Sequence, residues 1–89
     1  MVGCTVRIAS PLRSYTAGAA TLAAHGGTLA EVLTHLDERC PGIRFRMIDE
    51  QDRIRPHMRL FVNSSEAREL SAAVRAGDTV HIVCALSGG

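Results

Sequence analysis

The sequence predicts an α+β fold, a mixed sheet of four or five strands packed on one main helix. Three observations carry this. Val2, Cys4, Val6 and Ile8 near the start, and Val80, Ile82 and Cys84 near the end, alternate with residues of the opposite face at the period of a half-buried strand. Between them, residues 28–40 place Leu29, Val32, Leu33, Leu36 and Cys40 at helical spacing on one side. Neither a one-faced helix nor a one-faced sheet can bury its apolar side alone, so the two must cover each other.

The elements follow in order. After the first strand, Pro11 and the stretch Ser14–Gly18 read as a turn, and Ala20, Leu22 and Ala24 read as a second strand that completes a hairpin. Gly26-Gly27 breaks that pattern. Thr28-Leu29-Ala30-Glu31 fits a capping box, in which the hydroxyl and the carboxylate each take a backbone N–H at the helix start. Arg39 in the last turn suits the helix dipole, and Pro41-Gly42 ends the helix. Residues 43–56 are polar and mixed and read as a connecting loop with at most a short helical turn. Met58, Leu60 and Val62 form a third strand, and Asn63-Ser64-Ser65 accept the geometry of a tight reversal. A brief edge strand is expected near Ala67-Arg68 and a short helical turn over Leu70–Val74. Ala76-Gly77-Asp78 then turns the chain into the last strand.

If the last strand lies beside the first, the two run parallel at the sheet centre, and the 9–78 excursion supplies the crossover that such a pair requires. This order is the β-grasp arrangement. A chain of 89 residues allows one domain, expected over 1–85, with 86–89 as a flexible tail.

Composition excludes several function classes. With one Tyr, two Phe, no Trp and a formal charge of +1, the chain offers no basic stripe interleaved with aromatics, and nucleic acid is not an expected partner. No stretch approaches the ~18 apolar residues of a membrane span, and no secretory signal opens the chain, so a cytoplasmic location is expected and no membrane partner. Three widely spaced cysteines, Cys4, Cys40 and Cys84, read as reduced thiols packed as small apolar residues. They do not form the clustered ligand set that zinc needs, and no metal site is expected.

Intrinsic catalysis is not supported either. His25, His35, His57 and His81 contain no pair at helical metal-binding spacing. His81 and Cys84 are an odd number of positions apart on one strand and so face opposite ways. Glu31 and His35 share a helix face and read as a solvated pair, and Asp49-Glu50-Gln51-Asp52 as a solvated loop. Gly26-Gly27-Thr28 precedes a helix as a phosphate cradle would, yet lacks the lysine and fuller glycine pattern of a nucleotide loop.

Two features remain. The first is Gly88-Gly89. Two residues without Cβ let an extended tail thread a narrow channel, and a terminal carboxylate activated by adenylylation becomes a reactive acyl group. Ordering such a tail costs roughly 1–2 kcal/mol per residue, so binding energy must come from elsewhere. The second feature could supply it. If Leu60, Val62, Val80, Ile82 and Cys84 point toward the helix, Phe61, His81 and Val83 lie side by side on the open face. With Leu86 and Ser87 they form the expected partner-binding set.

These pieces together resemble the ubiquitin-like sulfur-carrier family, which includes the molybdopterin synthase small subunit, the thiamine sulfur carrier and mycobacterial-type carriers feeding cysteine biosynthesis. The resemblance runs through the Val6-Arg7-Ile8 strand, the Thr28–Leu33 helix start, Leu60-Phe61-Val62-Asn63, the Ala76–Val80 turn into strand, and Gly88-Gly89. Ser87, and Cys84-Ala85-Leu86 without a proline, depart from the molybdopterin branch. The resemblance implies that an E1-like adenylyltransferase uses ATP to adenylate Gly89. A sulfur donor then converts it to a thiocarboxylate, which a sulfur-accepting biosynthetic enzyme consumes. It implies a protein cosubstrate that is not itself an enzyme and binds no cofactor of its own. The alternatives are a ubiquitin-like modifier joined to targets through Gly89, or a non-reactive β-grasp interaction module. All ten basic residues are Arg, so Lys-linked chains of this protein are impossible.

Overall fold

A computed structural model describes residues 3–84. Val2, Leu86, Ser87, Gly88 and Gly89 of the sequence reading lie outside the described residues. Strand β1 (Gly3–Arg7) leads through a 3-10 helix (Ser10–Thr16) to β2 (Thr21–His25) and then helix α1 (Leu29–Arg39). Helix α2 (Ile43–Met47), β3 (Met58–Val62), β4 (Ser65–Ala67) and β5 (Thr79–Cys84) complete the fold. The five strands form one sheet in the order β2-β1-β5-β3-β4. Strands β1 and β5 pair in parallel at its centre, with Val6 opposite Val80, and every other pairing is antiparallel. The expected β-grasp fold is therefore the observed one.

The core lies between α1 and one sheet face. Leu29, Val32, Leu33 and Leu36 are fully buried against Val6, Leu60 and Val80, and Ile82 and Met58 are nearly so. Ile43, Met47 and Ile48 close the end of this core below α1. Residues 43–56 hold only the five-residue α2 and an isolated bridge between Ile48 and Ile54, close to the expected loop with a helical turn. Helix α2 starts at Gly42, whose φ of 94° suits glycine, and the Asp37 carboxylate accepts both the Gly42 and Arg44 N–H groups.

The start of α1 is held more extensively than a capping box. Thr28 Oγ1 accepts the Glu31 N–H at 3.3 Å, while Glu31 Oε1 accepts the Gly27 N–H at 2.7 Å. The next two orphan amides go to a distant segment: Leu29 donates to the Ala72 carbonyl and Ala30 to that of Leu70, both at 2.9 Å. This corrects the short helical turn expected over Leu70–Val74. That segment is a turn at Leu70-Ser71 followed by an isolated bridge from Ala73 to Thr28, because its carbonyls serve α1 instead of a helix of their own. With its first-turn amides committed, the α1 N-terminus is not an anion cradle. A Cβ at Gly26 would fall 2.7 Å from the Val32 nitrogen, so glycine is required for the strand to enter this cap.

Two further expectations change. The turn expected around Pro11 and Ser14–Gly18 is a seven-residue 3-10 helix, with Pro11 in its first turn and Ala17 and Gly18 at positive φ after its end. Arg13 Nε donates to the Ile8 carbonyl and the Thr16 hydroxyl bonds to Arg13 and Ala19 carbonyls, which fixes a segment that turn propensity alone leaves open. Glu31 and His35 do not form the expected pair. Glu31 is taken by the cap, and His35 stacks on His25 with ring centroids 3.6 Å apart. The brief edge strand expected near Ala67-Arg68 is present as β4, which ends at Ala67.

Truncation of Leu60 to Ala removes a fully buried side chain between the sheet and α1. It is expected to cost about 2–5 kcal/mol in denaturant-induced unfolding, with no change in the sheet signature of the folded state.

Candidate functional site

The sheet face turned away from α1 is assembled by strand alternation and register. On β3 and β5, Leu60, Val80 and Ile82 point into the core, so Phe61, His81 and Val83 point out. Phe61 stands directly opposite His81, and Val83 opposite Arg59. The parallel pairing carries the row onward, since His81 neighbours Arg7 of β1 and Arg7 neighbours Thr21 of β2. On the other side Phe61 neighbours Glu66 of β4. One continuous row therefore crosses all five strands: Thr21, Arg7, His81, Phe61, Glu66.

The face has an apolar middle and charged flanks. Val83 is 41 % exposed, and Phe61 and His81 are half-buried. Arg59 and Glu66 form an ion pair at 3.1 Å beside Phe61, with Arg68 reaching the other carboxylate oxygen at 3.9 Å. Sequence reading found Phe61, His81 and Val83 but not Arg7, Arg59 or Glu66. Their place in the row depends on register across strands distant in sequence, which alternation within one strand does not reveal.

A hydrogen-bonded knot holds this register. Asn63, at a φ of 57°, closes the two-residue β3–β4 reversal. Its side chain accepts the Thr79 N–H at 2.9 Å and donates to Asp78 Oδ1 at 3.0 Å, while its own N–H donates to the Thr79 carbonyl. Asp78 Oδ2 accepts the Arg75 N–H at 2.8 Å. This backbone donor and then the Asn63 amide hold the Asp78 carboxyl below the usual carboxylate range. The knot pins the start of β5 to the end of β3, the two strands that carry Phe61 and His81.

The thiols lie apart from this face. Cys4 and Cys40 are buried, and Cys84 is half-buried with its Sγ 3.4 Å from Met58 Sδ. Burial, then the Asp78 charge, pushes the Cys4 thiol up and keeps it protonated. Among the described residues, no three His, Cys, Asp or Glu side chains converge as metal ligands. No helix among them is long and apolar enough to cross a membrane. The reactive end expected at Gly88 and Gly89, with Leu86 and Ser87, lies outside the described residues; β5 ends at Cys84 in the sheet interior, between β1 and β3.

Asp78→Ala should lower stability near neutral pH. A depressed carboxyl stabilises the fold above the ordinary carboxylate range and loses that contribution as pH falls through its folded value. The gap between wild type and variant, followed by thermal unfolding, should therefore narrow below about pH 4.

The sulfur carrier protein CysO of Mycobacterium tuberculosis is 33% identical over 90 aligned positions, covering 96% of this chain and 97% of that protein. The crystal structure of the Amycolatopsis orientalis BexX/CysO complex contains a chain that matches with a TM-score of 0.91 at 32% identity, covering 97% of this chain and 99% of that one. The small archaeal modifier SAMP1 of Haloferax volcanii shares the fold, with a TM-score of 0.82 at 22% identity, covering 98% of this chain and 99% of that one. The ThiS family model matches residues 6–89, from the first strand through Gly89, and the chain belongs to that family.

Proposed function

We propose that this protein is a sulfur carrier in biosynthesis and that the carboxylate of Gly89 holds the sulfur. The observation that carries this reading is the similarity to sulfur carrier protein CysO along nearly the whole chain, joined to a family match that includes Gly88-Gly89. A terminal carboxylate has a pKa of about 3.5, so it is ionised at neutral pH and a poor electrophile. In the proposed cycle an E1-like partner binds ATP. A carboxylate oxygen attacks the α-phosphorus, pyrophosphate leaves, and an acyl adenylate forms. Hydrosulfide, released by the sulfur donor, then attacks the carbonyl carbon, and AMP leaves with the bridging oxygen. The C–S bond so formed leaves a thiocarboxylate, a soft nucleophile suited to a sulfur-accepting biosynthetic enzyme.

The chain acts here as a protein cosubstrate, neither an enzyme nor a holder of its own cofactor, and ATP belongs to the partner. A cytoplasmic setting fits three free thiols and an ATP-dependent partner. Docking falls to the open face: Phe61, His81 and Val83 are the groups that a partner would cover, with Leu86 and Ser87 leading toward its active site. Each apolar side chain buried there contributes about 1.5–3 kcal/mol, which offsets the ordering of the tail. The Amycolatopsis orientalis complex supports a relative that assembles with another protein.

Phe61→Ala should leave the folded state intact by circular dichroism while weakening binding to the activating partner; unfolding of the variant would mean that Phe61 serves the core. The function itself is tested by intact mass of the protein from its native host. The expected result is a species with one oxygen replaced by sulfur, localised to the C-terminal peptide and absent when Gly89 is deleted. Persistence of that mass without Gly89 would overturn the reading.

A further inference from the structure

We infer that helix α1 locks the free edge of β2 through His35 and Arg39, and that protonation of His35 opens the lock. Among the described residues, strand β2 is the sheet's outer strand beside β1 and has no strand on its other side. Which of its backbone groups face outward follows from β1. The Thr5 N–H donates toward β5, to the Asp78 carbonyl, so Thr5 and its partner Ala23 exchange no bonds and Ala23 faces away from β1. The Gly3 carbonyl accepts the Gly77 N–H, so its partner His25 faces away as well. An edge of this kind is a template for unwanted strand pairing.

Two side chains of α1 occupy these outward groups. Arg39 Nη1 donates to the Ala23 carbonyl, and the His25 N–H donates to His35 Nδ1 at 3.3 Å. The spacings match: residues four apart on a helix present side chains about 5–6 Å apart, and residues two apart on a strand repeat at about 6.6 Å. The His25 ring also stacks on His35 with an interplanar angle of 30°, which holds the acceptor in place.

The His35 bond dictates a tautomer. Nδ1 accepts a proton-bearing amide, so it carries no hydrogen, and the ring proton of neutral His35 sits on Nε2. A second proton can only enter at Nδ1, where it converts the acceptor into a donor facing a donor. The groups around this ring are His25 from β2 and Glu31, Glu38 and Arg39 from α1. Glu31 is already engaged by the Gly27 N–H. Acidification therefore frees the His25 amide while the Arg39 contact to Ala23 stays, and the edge opens at its C-terminal end first. This device is separate from the open face and from Gly89, so it stands or falls independently of sulfur transfer.

The test is nitrogen-detected NMR of the imidazoles together with amide hydrogen exchange. Neutral His35 should show the Nε2–H tautomer. On acidification, protection of the residue-25 amide, corrected for intrinsic exchange, should fall about fivefold, the worth of one neutral hydrogen bond. His25→Phe keeps the stack and removes the neighbouring imidazole, and should retain that fall. His35→Asn offers a non-titrating acceptor near the Nδ1 position, and should abolish it. A proton on Nδ1 of neutral His35, or an equal fall in His35→Asn, would overturn the inference; the tautomer reads out in the wild-type protein even if a variant fails to fold.

Discussion

Parallel pairing of β1 with β5 is the constraint on which the rest of the molecule depends. Parallel neighbours cannot be joined by a tight turn, so the chain between Ile8 and Asp78 must include a crossover over the sheet. The return path carries α1 across one face, where Leu29, Val32, Leu33 and Leu36 meet Val6 and Val80 with no exposure. Among the described residues α1 is the only long helix, and it covers one face and leaves the other open. That bare face is where Phe61, His81 and Val83 meet, and β5, the strand that carries two of them, leads in sequence to Gly88-Gly89.

Tertiary hydrogen bonds then fix what burial alone would leave loose. The carbonyls of Leu70 and Ala72 take the first amides of α1, and the Asn63–Asp78–Thr79 knot ties the β3–β4 reversal to the start of β5. Both spend the polar groups of irregular segments on holding regular ones in register. The consequence for function is geometric: Phe61 faces His81 and not Thr79 or Val83 because the knot sets the offset.

Much of this was legible in the sequence, and the exceptions have a common cause. Helix α1 could be read because its cap, apolar spacing and terminating Pro41-Gly42 all lie within fifteen or so residues, about the span of a typical short helix. Strands β1, β3 and β5 could be read because alternation is local. The 3-10 helix over Ser10–Thr16 could not, because Arg13 and Thr16 stabilise it through carbonyls outside it, at Ile8 and Ala19. Leu70–Val74 misled because its carbonyls serve a helix about forty positions earlier, beyond any local signal of the kind that propensity supplies. Glu31 and His35 share a helix face as expected, yet each found a better backbone partner than the other. In the candidate site, the outward residues of β3 and β5 were visible one strand at a time, whereas the row through Arg7 and Glu66 exists only once strand order is known.

The central claim is that the terminus, and no side chain, carries the sulfur. Its most direct test is a variant with Cys4, Cys40 and Cys84 all replaced, incubated with the activating partner, ATP and isotopically labelled sulfide. The account predicts that label enters the protein in an ATP-dependent way, one atom per chain, and is released with the C-terminal peptide. Failure of the cysteine-free protein to take up label under conditions where the wild type does would place the sulfur on a thiol and contradict the account.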